Sequence, residues 1–172
     1  MSKIQIVRDY PYAVATVWRA LTDPQLIPRW TSTGAGGRPE GFDLLVGTTF
    51  RYVAKPKPGW TGIVNCVVLE VHEPTRLRYS WQDAGGGEIT EVTYTLEPHA
   101  GGTRFTYDHT GFSGIGGFVM TLLLGKVRRQ MLDVGLPPVL AELTGTEPGA
   151  VAGEEVRRTA PDGRPNEVST VT

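Results

Sequence analysis

The alternation of apolar and polar positions changes period along the chain, and each change marks an element. Ile4 to Tyr12 alternates and predicts a first strand. Pro11 and the residues after it turn the chain into a helix. There Val14, Val17, Trp18 and Leu21 share one face at helical spacing. Thr22-Asp23-Pro24 ends that helix and opens a turn, and Gln25 to Trp30 predicts a short second helix with Pro28 near its end. Thr31 to Gly47 is glycine-rich without a period and reads as a loop. From Thr48 the period becomes two.

Phe50 and Tyr52 alternate with Arg51 and Val53, and Lys55-Pro56-Lys57-Pro58-Gly59 must be a turn, since prolines cannot continue a ladder. Trp60 to His72 is a long strand. Leu77, Tyr79 and Trp81 then alternate with arginines, serine and glutamine, the mark of a one-sided strand. Ile89 to Glu97 places Val92, Tyr94 and Leu96 on one face, and Thr103 to Thr110 does the same with Phe105, Tyr107 and His109. After the glycines of Gly111 to Gly117, the residues Met120, Leu123, Leu124, Val127, Met131, Leu132 and Leu136 keep one apolar helical face. Pro137-Pro138 is expected to kink that helix. The predicted class is therefore α+β: a curved antiparallel sheet of about six to seven strands wrapped on a long C-terminal helix, with two short helices after the first strand. Only the last helix offers enough apolar surface to close the sheet.

Composition narrows the picture. The chain has 172 residues, of which 40% are hydrophobic and 20% charged, enough for one real core. Seventeen basic and 18 acidic side chains nearly cancel, giving no general field for nucleic acid or an anionic membrane. The start of the chain lacks the apolar region of a signal peptide, and Gly114 to Leu124 is shorter than the ~20 residues a membrane helix needs. A cytoplasmic protein is the expectation. Beyond Gly145 the composition turns to Gly, Pro, Glu, Arg, Thr and Ser, so residues 1–145 are expected to form the domain and 146–172 a disordered tail. Cys66, the single cysteine, lies in an apolar strand and reads as a small buried hydrophobe.

The segments Val17-Trp18-Arg19-Ala20-Leu21-Thr22-Asp23-Pro24, Arg29-Trp30 and Arg76-Leu77-Arg78-Tyr79-Ser80-Trp81 follow in a recognisable order. Tyr94-Thr95-Leu96-Glu97-Pro98, Gly101-Gly102-Thr103-Arg104-Phe105-Thr106 and His109-Thr110-Gly111-Phe112 continue it. Together this string resembles proteins similar to the activator of the Hsp90 ATPase, within the START-like or Bet v 1-like superfamily. The resemblance runs from about residue 4 to 143. It implies a helix-grip fold with a cavity between sheet and long helix; relatives bind lipids, sterols, polyketides and hormones, some are cyclases, and some protect producers of reactive natural products. The chain departs from the common pattern after Trp30 and after Phe112, so the pocket mouth is expected to be remodelled.

Candidate ligand-binding residues are Tyr52, Tyr79, Trp81, Tyr94, Tyr107, His109 and Phe112 from the sheet, with Met120, Leu123, Val127 and Met131 from the helix. Aromatic bodies with polar tips suit a pocket that buries apolar rings and orients them by a few hydrogen bonds. His109 is the candidate general base, its ordinary pKa being near ~6.5. Asp108 points to the opposite face and cannot partner it. No metal spacing and no nucleophile elbow occur, and Gly114-Ile115-Gly116-Gly117 lacks the lysine of a phosphate loop. No cofactor is expected. Lys126, Arg128 and Arg129 read as a solvated basic patch, with steering of an acidic ligand or partner as the alternative. Three functions remain open. The first is binding or sequestration of a small hydrophobic, aromatic or polyketide-like ligand, in natural-product biosynthesis or self-resistance. The others are a polyketide cyclase or dehydratase and a cochaperone-like interaction module. The expected partner is a small hydrophobic molecule rather than nucleic acid or membrane, and the pattern selects no oligomeric state.

Overall fold

The computed structural model describes residues 1–34 and 36–145, so the expected tail lies outside the described residues. Among the described residues there are seven strands: β1 (Ser2–Tyr10), β2 (Arg38–Glu40), β3 (Thr49–Val53), β4 (Ile63–His72), β5 (Arg76–Asp83), β6 (Thr90–His99) and β7 (Gly102–Phe112). They form one antiparallel sheet in the order β1-β7-β6-β5-β4-β3-β2. Strands β3 to β7 succeed one another as neighbours, and β1 closes against β7. The helices α1 (Val14–Thr22) and α2 (Ile27–Thr31) and a 3-10 turn (Ser32–Gly34) fill the connection from β1 to β2.

The period-two pattern decides which face is inside. Phe50, Leu77, Tyr79, Val92, Tyr94, Leu96, Phe105, Tyr107 and His109 are all buried. Register places Leu77 opposite Tyr94 and Tyr94 opposite Tyr107, so aromatic rings run across the sheet. The outer face carries charge pairs instead, such as Glu70 with Arg76 and Arg78.

Three expected boundaries shift. Arg38–Glu40, read as loop, is an edge strand too short to show a period; Glu40 bonds to Arg38 and Arg51 across it. Pro28 stands in the first turn of α2 rather than at its end, where its missing N–H leaves nothing unsatisfied. The third concerns the prolines. Instead of a kink at Pro137-Pro138, helix α3 (Gly114–Gln130) passes through a π-turn (Met131–Gly135) into α4 (Leu136–Thr144). The Leu136 N–H bonds to the Met131 carbonyl, five residues back. This widened turn makes room for the rings of the two prolines, which start α4 and need no helical N–H bond. The Tyr10 hydroxyl donates to the Leu132 carbonyl at 2.8 Å, and Arg8 pairs with Asp133, so the turn is held from β1.

Helix α4 buries Leu136, Val139, Leu140 and Ala141 in the cluster formed by Val17, Trp18, Leu21 and Ile27. Gly135 permits this approach: a Cβ there would lie 2.3 Å from the Trp30 carbonyl oxygen. Helix α3 is different. Its packing lies along β1 and β7, and it buries only Thr121 and Gly125.

Candidate functional site

Because α3 follows the β1–β7 side of the sheet, the inner face of β3 to β5 is left without a close helical cover. The result is a cavity of about 1050 Å³. Tyr79, Trp81, Tyr94 and Tyr107 form its floor, Tyr52 and Val64 one side, and Trp30 and Thr31 of α2 another. Met120, Leu123, Leu124, Val127, Arg128 and Met131 form the roof. Lys57, Gly59, Gly86, Gly87 and Gly116 are exposed and make an open rim. Trp60 is fixed at that rim by its indole N–H, which donates to Asp83 at 2.6 Å.

The floor is a continuous aromatic array. Phe50, Tyr79, Tyr94 and Phe105 meet edge to face, with centroids 5.6, 5.8 and 5.4 Å apart along the row. Edge-to-face contacts let buried rings pack without stacking their negative faces. The hydroxyls of Tyr79 and Tyr94 bond to each other at 3.2 Å. Burial pushes the Tyr94 phenol up to about 12 and the Tyr79 phenol well above its ordinary value, so both are neutral.

One hydrogen-bonded chain runs through the inner wall. The Thr90 hydroxyl donates to the Trp81 carbonyl at 3.1 Å, so its oxygen must accept from His109 Nε2–H at 2.8 Å. His109 Nδ1 is then bare and accepts from the Tyr107 hydroxyl at 3.3 Å. The Tyr107 oxygen in turn accepts from Arg128 Nε–H at 2.9 Å. This order of donors fixes the tautomer of the histidine. Burial, with the Arg128 charge adding to it, lowers the His109 pKa to about 3.

All the sequence-predicted ligand residues except His109 line this cavity. His109 faces inward as expected, but Trp81 and Phe112 pack against its ring at 5.6 and 4.6 Å and place it behind the wall. Both of its ring nitrogens are engaged, Nε2 with Thr90 and Nδ1 with Tyr107. Met120 and Leu123 belong to the roof yet remain largely exposed, because the cavity beneath them is open. Cys66 is buried, and burial pushes its thiol up to about 12, leaving no reactive thiolate.

Arg128 is the residue that the charge pattern misplaces. Read with Lys126 and Arg129 it looks like a solvated patch, yet its guanidinium sits over the Trp81 ring at 4.8 Å inside the cavity. The available signal was helical spacing: Arg128 follows Leu124 by four residues and precedes Met131 by three, so it shares their face. Trp30 and Trp60 also line the cavity and were missed; Trp60, expected to open the long strand, stands before β4, which begins at Ile63.

Fold and cavity together define a START-like helix-grip protein. The chain belongs to the family described as Activator of Hsp90 ATPase homolog 1-like protein, whose model matches residues 11–117. It is similar to the solved structure of protein MLL2253 from Mesorhizobium loti, with 26% identity and a TM-score of 0.66, over 84% of this chain and 97% of that one. CalU16 from Micromonospora echinospora is also 26% identical, with a TM-score of 0.61, over 83% of this chain and 74% of that one. DynU16, a protein of the dynemicin biosynthetic locus, shares the fold at 23% identity and a TM-score of 0.61, over 85% of this chain and 48% of that one. No curated protein matches the chain. Among the described residues no helix is long and apolar enough to cross a membrane.

Proposed function

We propose that this protein binds and sequesters a small apolar, ring-bearing molecule in the cavity between sheet and helix. The observation that carries this reading is a cavity of about 1050 Å³ whose floor is built of tyrosine and tryptophan rings. That volume lies just above the ~300–1,000 Å³ usual for small-molecule sites. The phenols of Tyr79 and Tyr94 share one hydrogen bond, which lowers the cost of an apolar guest covering them. The dynemicin-locus neighbour supports a natural product as the ligand, in biosynthesis or in protection of the producing cell.

A thermal-shift screen of the purified protein against polyketides, flavonoids and fatty acids tests the reading. A compound that binds only the folded state adds ~2.7 kcal/mol of stability at 100 times its dissociation constant. Saturable stabilisation by one chemical class, lost in Tyr79→Ala and Trp81→Ala variants that still fold, is the expected result. A flat response across the panel would overturn it.

One observation favours a second reading, a protein-interaction module. Ile115, Phe118, Val119 and Leu122 of α3 are all more than 40% exposed, an apolar flank beside the pocket. Phe118→Ser with Leu122→Ser separates the two readings: ligand stabilisation persists if the flank only covers the cavity mouth.

A further inference from the structure

Arg128 carries a charge that no carboxylate among the described residues answers. Among the described residues it makes no ion pair. Its Nε–H goes to the Tyr107 hydroxyl, and Nη1 lies 3.3 Å from the Met131 sulfur, a weak acceptor. Nη2 has no acceptor among the described residues, and the guanidinium otherwise meets only the rings of Trp81 and Tyr107, at 4.8 and 5.8 Å. The carboxylates around the cavity are committed elsewhere. Asp83 accepts from the Trp60 indole and the Gly85 N–H, and Glu88 accepts from Ser113. Asp108 faces the other side of the sheet and accepts from Gln5, while Asp133 is held by Arg8.

A guanidinium stays charged in any such setting, so it cannot escape the cost of burial by losing a proton. An apolar side chain would roof the cavity at this helix position without that cost, as Leu124 and Val127 do nearby. The chain instead aims the charge into the pocket and braces it. Thr90, His109 and Tyr107 form a fixed line of hydrogen bonds whose last oxygen takes Nε and leaves the Nη edge for another acceptor. Lys126 lies on the same lining and adds positive potential.

We infer that Arg128 recognises a carboxylate on the ligand: the guest of this cavity is an apolar, ring-bearing acid, with its rings on the tyrosine floor and its acid group on the Nη edge. The inference rests on the binding reading above and sharpens it to a substrate class.

The test uses 1-pyrenebutyrate and its uncharged primary amide, followed by pyrene fluorescence on the full chain. The wild type is expected to bind the acid about tenfold or more tighter than the amide, the size expected of a charge-assisted pair in a desolvated site. Arg128→Gln should bring the acid to within about twofold of the amide, while Arg128→Lys keeps a reduced preference for the acid. Melting temperature is the control, and Arg128→Gln should melt at or above the wild type, since an unpaired, half-buried charge has been removed. Equal binding of acid and amide by the wild type overturns the inference and leaves the cavity reading standing. A preference that survives in Arg128→Gln overturns it too, and assigns recognition to another group such as Lys126. Binding of neither probe by the folded wild type counts against the cavity reading itself, and the inference falls with it. The wild-type comparison needs no variant, so a folding defect in Arg128→Gln cannot shelter the inference.

Discussion

The helical run from Gly114 to Thr144 is continuous, but its two ends do different work. Between Met131 and Ala141, Met131, Leu132, Leu136, Val139 and Leu140 disappear into the cluster made with α1 and α2, and Leu136 and Leu140 are fully buried. From Ile115 to Leu123 the residues are just as apolar, yet Ile115, Phe118, Met120, Leu122 and Leu123 stay exposed. Composition cannot separate these ends. What separates them is what lies beneath: two helices and their side chains under one end, an open cavity under the other. One sequence pattern thus yields an anchor and a cover, and the π-turn with its ties to Tyr10 and Arg8 marks where the anchor begins.

The sharpest way to break this division is truncation of matched leucines. Leu140→Ala should cost about 2–5 kcal/mol in denaturant unfolding, the usual range for emptying a packed leucine site. Leu123→Ala should change stability by no more than about 0.5 kcal/mol, because its side chain already meets solvent. Comparable losses in the two variants would mean that the cover packs as tightly as the anchor.

The pH dependence of stability asks whether the sheet under the cover is itself sealed. Folded His109 has its pKa lowered to about 3, while the unfolded chain's histidine titrates near ~6.5. Below that unfolded value the unfolded chain binds a proton that the folded chain refuses. Stability is therefore complete above pH ~6.5 and falls as pH drops toward the folded value, by at most roughly 1.4 kcal/mol per pH unit. Between pH 6.5 and 5 the depressed carboxylates, such as Asp9 and Asp133, are still ionised and contribute little to the slope. Urea unfolding at pH 7 and pH 5 should show a loss of about 2 kcal/mol in the wild type that His109→Gln lacks. The same slope in both proteins would show that water reaches His109 through a loose cover.

The sequence made the strands and their inward faces legible because a period of two translates directly into sides of a sheet. Tyr79, Tyr94 and Tyr107 could be assigned to one interior before any coordinates. Two things could not be read so directly. Arg128 is flanked in sequence by Lys126 and Arg129, and neighbours in sequence invite a single surface patch, although successive helix positions point in different directions. His109 was legible as inward but not as hidden, since its screening depends on how the Trp81 and Phe112 rings close over it. The cavity itself follows from where α3 lies against β1 and β7, a matter of tertiary placement that no local period encodes.

Two glycines give the finest test of anchor against cover, because the same added methyl should act with opposite sign. At Gly135 a Cβ would sit 2.3 Å from the Trp30 carbonyl oxygen and 2.6 Å from the Thr33 hydroxyl, contacts that require the π-turn to move away from α2. Gly135→Ala should therefore lose about 1–3 kcal/mol, as overpacked sites do. At Gly116, in the first turns of α3, a Cβ would meet nothing within 4 Å. There Ala only restricts the unfolded chain and favours helix, so Gly116→Ala should gain roughly 0.5 kcal/mol. Thermal melts of the two variants read the sign directly. A loss at Gly116 would show that the cover closes down on the cavity mouth in solution, with the glycine at the point of contact; a gain keeps the cover open and leaves the anchor as the part of the helix that holds the fold.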